Sequence, residues 1–255
     1  MTCIWPDVGR IRPFTHEEAM RLQHHELERT LTTLRSLDEA AWAASTDCPA
    51  WDVRAMYQHV LGGCEAGASI RETVHQLLRA RAHCKKHGGP LEAALSHVQI
   101  SERAGLSPAQ ILKRLEAIAP RTVKRRTRTP ALLRNQARFP VDAPVHETWT
   151  LGYLIDTVAL RDLWMHHVDV NHALGRPLHL SAQHDGRIVA DIVAEWARRH
   201  HKPFDLELTG TAGGRYAHEP GHSQAEHLSL DAVEFCRTLA GRAQAVGLLT
   251  TVVPF

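Results

Sequence analysis

Between Thr150 and the stop signal Gly175-Arg-Pro177 the chain carries one long helical pattern, and its inward stripe changes character partway along. Ile155, Val158, Asp162, His166 and Asp169 recur at steps of three or four, so they share one face. That face is apolar for two turns and then reads acid, imidazole, acid. An ionised carboxylate on a core-facing stripe is costly unless it is paired or coordinates a metal. Any fold built on this helix must therefore supply such a partner. At 100° per residue Asp162 and His166 sit about 40° apart, close enough to serve one ion. A solvated helix end or a satisfied core pair would give the same spacing.

The rest of the chain is mostly helical up to this point. Thr15-His-Glu-Glu18 is a capping box, and Met20, Leu27, Leu31 and Leu34 then mark a helix over 16–36. Trp51-Asp-Val-Arg54 opens a second helix running to about 82, with Ala55, His59, Gly62, Gly63, Ala66 and Gly67 on one face. Each interior glycine costs about 1 kcal/mol relative to alanine, so this face predicts a close neighbour. His59 lies on it and is the natural third ligand, although a lone histidine on an apolar face is more often a hydrogen-bonded core residue. Ser107-Pro108 starts a further helix with Ile111, Leu112, Leu115 and Ile118 as its stripe, and 120–144 reads as a long basic loop. Ser181 is expected to cap a helix bearing Ile188, Val189, Ile192, Val193 and Trp196. After Pro203 the period becomes two over Phe204, Leu206 and Leu208, a short strand surrounds Tyr216, and a helix runs over 231–242. The fold class predicted is mainly α with a smaller C-terminal α+β domain, divided as 1–178 and 179–255.

Composition narrows the function. The 255 residues include 19 histidines, but placement has to select among them. His83 and His87 have ligand spacing beside Lys85 and Lys86, whose charge opposes a metal; His218 and His222 are separated by Pro220 and Gly221; His24-His25 and His200-His201 read as surface pairs. Five scattered cysteines without a C-x-x-C disfavour both a disulfide framework and a thiolate zinc site, which suits a reducing cytoplasm. No apolar run approaches the ~20 residues of a membrane span, and a net charge of +2 gives no bulk reason to expect nucleic acid. Seven Lys or Arg residues without an acid over 121–138 are expected to form first a solvated loop, second an anion-binding lid, and only third a nucleic-acid arm.

The segments Cys48-Pro-Ala-Trp-Asp-Val-Arg-Ala-Met-Tyr-Gln-His59 and Gly152-Tyr-Leu-Ile-Asp-Thr-Val-Ala-Leu-Arg-Asp-Leu-Trp-Met-His-His-Val-Asp169 resemble the actinobacterial mycothiol-dependent maleylpyruvate isomerase family, part of the DinB-like superfamily. The closing Ala232–Arg242 helix and the Val253-Pro-Phe255 end are similar to that family's small C-terminal domain. The resemblance implies an N-terminal four-helix bundle with a metal between helices. It also implies that His59, Asp162 and His166 stand where the family has its ligands. Asp162 replaces a glutamate and is one methylene shorter, and His167 replaces an arginine that commonly follows the second ligand histidine.

Two histidines and one carboxylate leave positions open for water or substrate, as in catalytic rather than structural sites. The expectation is a cytoplasmic enzyme using a divalent metal, zinc ahead of nickel or another ion. It would activate a low-molecular-weight thiol, mycothiol by resemblance, against an electrophile, giving maleylpyruvate-type cis–trans isomerisation or S-transfer. The alternative is a non-catalytic metal-binding or regulatory module. Asp169, His167 and Arg161 are the accessory candidates, Asp169 either orienting a ligand histidine or pairing with Arg161. The partners expected are the small thiol and its electrophile, with no nucleic acid and no membrane, for a monomer or dimer.

Overall fold

The computed structural model describes residues 5–255, which form two compact units: residues 15–177, and residues 178–255 together with the N-terminal residues 5–14. The expected division at 178 left the N-terminal residues on the bundle. Residues 5–14 instead belong to the smaller unit, where Ala217 N–H donates to Pro6 O at 2.9 Å.

The larger unit contains α1 (His16–Arg35), a short α2 (Glu39–Trp42), α3 (Val53–Ala68), α4 (Ile70–His87), α5 (Leu91–Ser101), α6 (Pro108–Thr127), α7 (Ala131–Gln136), a hairpin of β1 (Arg138–Val141) and β2 (Glu147–Thr150), α8 (Leu151–Tyr153) and α9 (Ala159–Ala173). The Thr15 capping box forms as the sequence predicts, Thr15 Oγ1 accepting from Glu18 N–H at 3.2 Å. Helices α1, α3, α6 and α9 make the four-helix bundle around Leu27, Leu34, Met56, Leu61, Ile111, Leu115, Leu163 and Val170. Burying each of these side chains contributes about 1.5–3 kcal/mol.

Two expectations are corrected in this unit, and one helix was not anticipated. The helix expected over 51–82 is two helices, because Ser69 adopts extended backbone (φ −145°, ψ 123°) and caps α4 by accepting from Glu72 N–H. The turn lets α4 pack on α5, an unanticipated helix whose Ala94 and Val98 meet Ala80 in a small second core. The expected loop over 120–144 is largely regular, since α6 continues through Pro120 to Thr127. A helix-interior proline loses a hydrogen bond. Here Ile111, Leu115, Ala119 and Thr122 stay buried across it, and Thr122 Oγ1 donates to Cys64 O of α3 at 2.6 Å, so packing overrides local propensity.

The chain enters α9 through a π-helical turn, Leu154–Val158, which adds a residue to the turn and shifts the helical phase. Asp156, off the predicted stripe, is thereby buried between His16 Nδ1 at 2.7 Å and Arg134 Nη1 at 3.1 Å. Arg125 donates to the terminal α3 carbonyls of Ala66 (3.3 Å) and Gly67 (2.9 Å), where a cation complements the helix end. Among the described residues, no helix is long and apolar enough to cross a membrane.

In the smaller unit α10 (Asp185–His200) buries Ile188, Val189, Ile192, Val193 and Trp196, the predicted stripe. It begins at Asp185 rather than directly after Ser181, whose Oγ accepts from His184 N–H at 3.2 Å in the preceding turn. β3 (Phe204–Thr209) is the central strand, antiparallel to β4 (Gly214–His218) and parallel to β5 (Glu226–Asp231), which the sequence reading missed. Leu206 lies opposite both Tyr216 and Leu228. α11 (Ala232–Leu239) is capped by Asp231, ends three residues early, and packs Phe235 against Trp196 at 5.3 Å. His200 is not the surface residue expected: its ring lies 4.4 Å from that of Trp196, and burial, then nearby His218, Lys202 and His201, push its pKa down to about 4.

Candidate metal centre

Helix α3 sets the first group of the site. Asp52 caps it, accepting from Ala55 N–H at 2.7 Å, and two turns later His59 faces the bundle interior. On α9 the four-residue step from Asp162 to His166 brings both side chains to the same place. His166 Nε2 lies 3.2 Å and His59 Nε2 3.6 Å from Asp162 Oδ1, and one donor atom from each of the three falls within 4.8 Å of the others. Among the described residues, these three are the only histidine, cysteine or acid side chains grouped in this way.

His166 Nε2 faces the Asp162 carboxylate at 3.2 Å, and His59 Nδ1, the ring nitrogen other than the one nearest Asp162, is buried without a hydrogen-bond partner. One carboxylate oxygen within 3.2–3.6 Å of two imidazole nitrogens is a convergent donor set. Burial raises the pKa of the Asp162 carboxyl, but the His166 and His59 imidazoles outweigh it and hold the group well below the carboxylate range. Burial likewise lowers His166, yet Asp162 and then Asp169 raise it to about 9. In the absence of an ion the cluster is thus an imidazolium–carboxylate pair. Donor chemistry and geometry fit a divalent cation.

The surroundings position these groups. Fully buried Asp169 places Oδ2 3.4 Å from His166 Nδ1 and 3.9 Å from Cys48 Sγ, as an orienting carboxylate would. The Trp51 ring lies 5.0 Å from His59 and 5.9 Å from His166, covering the imidazoles. His167 faces away toward α1, its Nδ1 2.6 Å from Glu26 Oε1, and Glu26 also receives Arg29 at 3.1 Å. Arg161 is fully buried and does not line the cavity described next.

A cavity of about 190 Å³ opens beside His59 and Asp162, walled mainly by Val60, Cys64, Leu154, Val158 and Leu163. Gly63 faces it, and a Cβ there would meet nothing within 4 Å. The close approach predicted for this face occurs at two of its three glycines, Gly62 against Gln99 of α5 and Gly67 against Thr122 of α6. One cavity residue, Arg126, was missed because its segment read as a loop. Its position was available: 111, 115, 119, 122 and 126 continue the buried stripe of α6. The ring of His83 lies 4.7 Å from that of its decoy partner His87 and 4.4 Å from that of His97, but these do not converge as a ligand set.

Comparison with known proteins follows this geometry. The mycothiol maleylpyruvate isomerase N-terminal domain model matches residues 23–171, which contain all three candidate ligands. A crystal structure of the mycothiol-dependent maleylpyruvate isomerase, and one of its histidine-to-alanine mutant, are each similar at a TM-score of 0.58 and 16% identity. Each match covers 93% of this chain and 92% of that one. No curated protein sequence matches the chain. At that identity the structural likeness shows the DinB-like bundle with its small C-terminal domain. The chain belongs to the mycothiol maleylpyruvate isomerase N-terminal domain family.

Proposed function

We propose that this protein is a divalent-metal-dependent enzyme that activates a low-molecular-weight thiol, mycothiol, for attack on an electrophilic unsaturated acid of the maleylpyruvate type. One observation carries the reading: His59, Asp162 and His166 converge beside a cavity, within 4.8 Å of one another. The family match and the similar isomerase structures support it. Three protein donors leave coordination positions for a substrate, and the adjoining cavity favours an enzyme over a closed structural site.

His59, Asp162 and His166 would hold the ion. When bound, it supplies a Lewis-acidic centre that lowers a thiol's pKa, so that thiolate is available at neutral pH. Asp169 keeps His166 oriented through Nδ1 and fixes which ring nitrogen faces the site. Trp51 and the apolar wall keep water from the imidazoles and hold the electrophile in contact with the thiol.

The chemistry begins with sulfur adding to one carbon of the electrophile's double bond, the π pair moving onto the conjugated carbonyl. Rotation about the resulting single bond, return of the electrons and departure of the same thiolate give the trans isomer with no net redox change. Retention of the thiol, with a proton taken up at the neighbouring carbon, is S-transfer.

The test is incubation of the purified protein with mycothiol and maleylpyruvate, followed by proton NMR. Conversion of cis to trans with mycothiol recovered intact identifies isomerisation, and stoichiometric consumption of thiol identifies S-transfer. Absence of any thiol-dependent change in a metal-loaded sample would overturn the proposal.

A further inference from the structure

The stripe logic that singles out Asp162 applies to α6 with the opposite sign. Ile111, Leu115, Ala119 and Thr122 are buried, and the next position on that stripe is Arg126, which lines the same cavity as His59 and Asp162. A cation in such a place needs an anion. Among the described residues Arg126 makes no ion pair: its hydrogen bond runs from Nη1 to Gln23 Oε1 at 2.6 Å, a neutral partner. Gln23 is itself fixed, because its amide nitrogen donates to Ile155 O in the π-helical turn. The outer edge of the guanidinium passes over Gly67, where a Cβ would stand 3.2 Å from both Nε and Nη2. Arg125, its neighbour, is committed to the end of α3.

We propose that Arg126 is the carboxylate-binding group of the cavity, holding the acid end of the electrophilic substrate while the reactive carbon lies toward His59 and Asp162. This inference rests on the reading of the cavity as the substrate pocket. A guanidinium held on one edge by Gln23 presents its remaining N–H groups as a fork, the geometry that suits a carboxylate. The other walls offer Val60, Leu154, Val158 and Leu163, which suit a short unsaturated carbon chain. Burial presses the pKa of Arg126 down, with Cys64, Asp162 and Asp156 offsetting part of the effect, and a bound carboxylate would restore the balance.

The test is calorimetric titration of the purified full-length protein with maleate and with dimethyl maleate, for wild type, Arg126→Met and Arg126→Lys. Metal content and circular dichroism are measured in parallel. The expected result is maleate binding weakened roughly tenfold or more in Arg126→Met at unchanged metal content, and partly recovered in Arg126→Lys. Dimethyl maleate, which lacks the charge, should bind all three alike. Equal maleate affinity in wild type and Arg126→Met, or wild type binding maleate no better than its diester, would overturn the inference. The titration needs no thiol. Arg126-dependent maleate binding by a protein inactive toward thiols would therefore sink the thiol chemistry and leave this assignment standing.

Discussion

Asp162 is a carboxylate that the bundle brings against two imidazoles, with about a third of its side chain still exposed. That arrangement makes the ion-free site a proton-holding pair. His166, raised to about 9, has an ordinary value of about 6.5 in the unfolded chain. A group raised on folding contributes stability that is complete below its unfolded pKa and lost as pH rises through the folded one. Metal-free protein should therefore lose urea stability as pH is raised from ~6.5 through ~9, and His166→Gln should flatten that dependence. Metal loading below ~pH 9 should release a proton, measurable as a buffer-dependent heat. The pairing of Asp162 with His166 was legible in the sequence because a four-residue step on a helix is a shared face, whereas His59, on another helix, was reached from its glycine-rich face and the family resemblance. His167 was read as an accessory candidate, but spacing gives only its place on α9. Its pairing with Glu26 depends on which helix packs there.

At the scale of elements, the helices that carry the site depend on close approaches. A Cβ at Gly62 would stand 2.6 Å from Gln99 Cβ and Cγ, atoms near the α5 backbone that cannot swing aside. Gly62→Ala should cost about 1–3 kcal/mol in urea denaturation through this overpacking, with metal content retained. Leu115→Ala, in the bundle core, should cost about 2–5 kcal/mol by the same measurement. Capped, strongly periodic elements such as α1 and α10 were readable from pattern alone. The break at Ser69, the passage of α6 through Pro120 and the π-helical turn were not, because each is decided by partners distant in sequence: α4 against α5, Thr122 against Cys64, and Asp156 between His16 and Arg134. Misreading the last turns of α6, from Pro120 on, as a loop also hid Arg126, so an error at this scale became an omission at the site.

At the scale of the molecule, a bundle carries the three candidate ligands and a separate α+β unit is closed by the chain's own N-terminal segment. The α+β texture was visible from the change of period after Pro203. The return of residues 5–14 to β4 was not, since a single backbone bridge leaves no side-chain pattern. An ion that binds only the folded bundle stabilises it by mass action, so chelation should lower the melting temperature by several degrees. Restoring the ion should reverse the change. The most direct measurement is elemental analysis of the purified protein and of His59→Ala, Asp162→Ala and His166→Ala, with helical content checked by circular dichroism. About one divalent ion per chain in wild type, falling to a small fraction in each folded variant, is the result expected of this ligand set. Equal metal content in wild type and all three variants would contradict it.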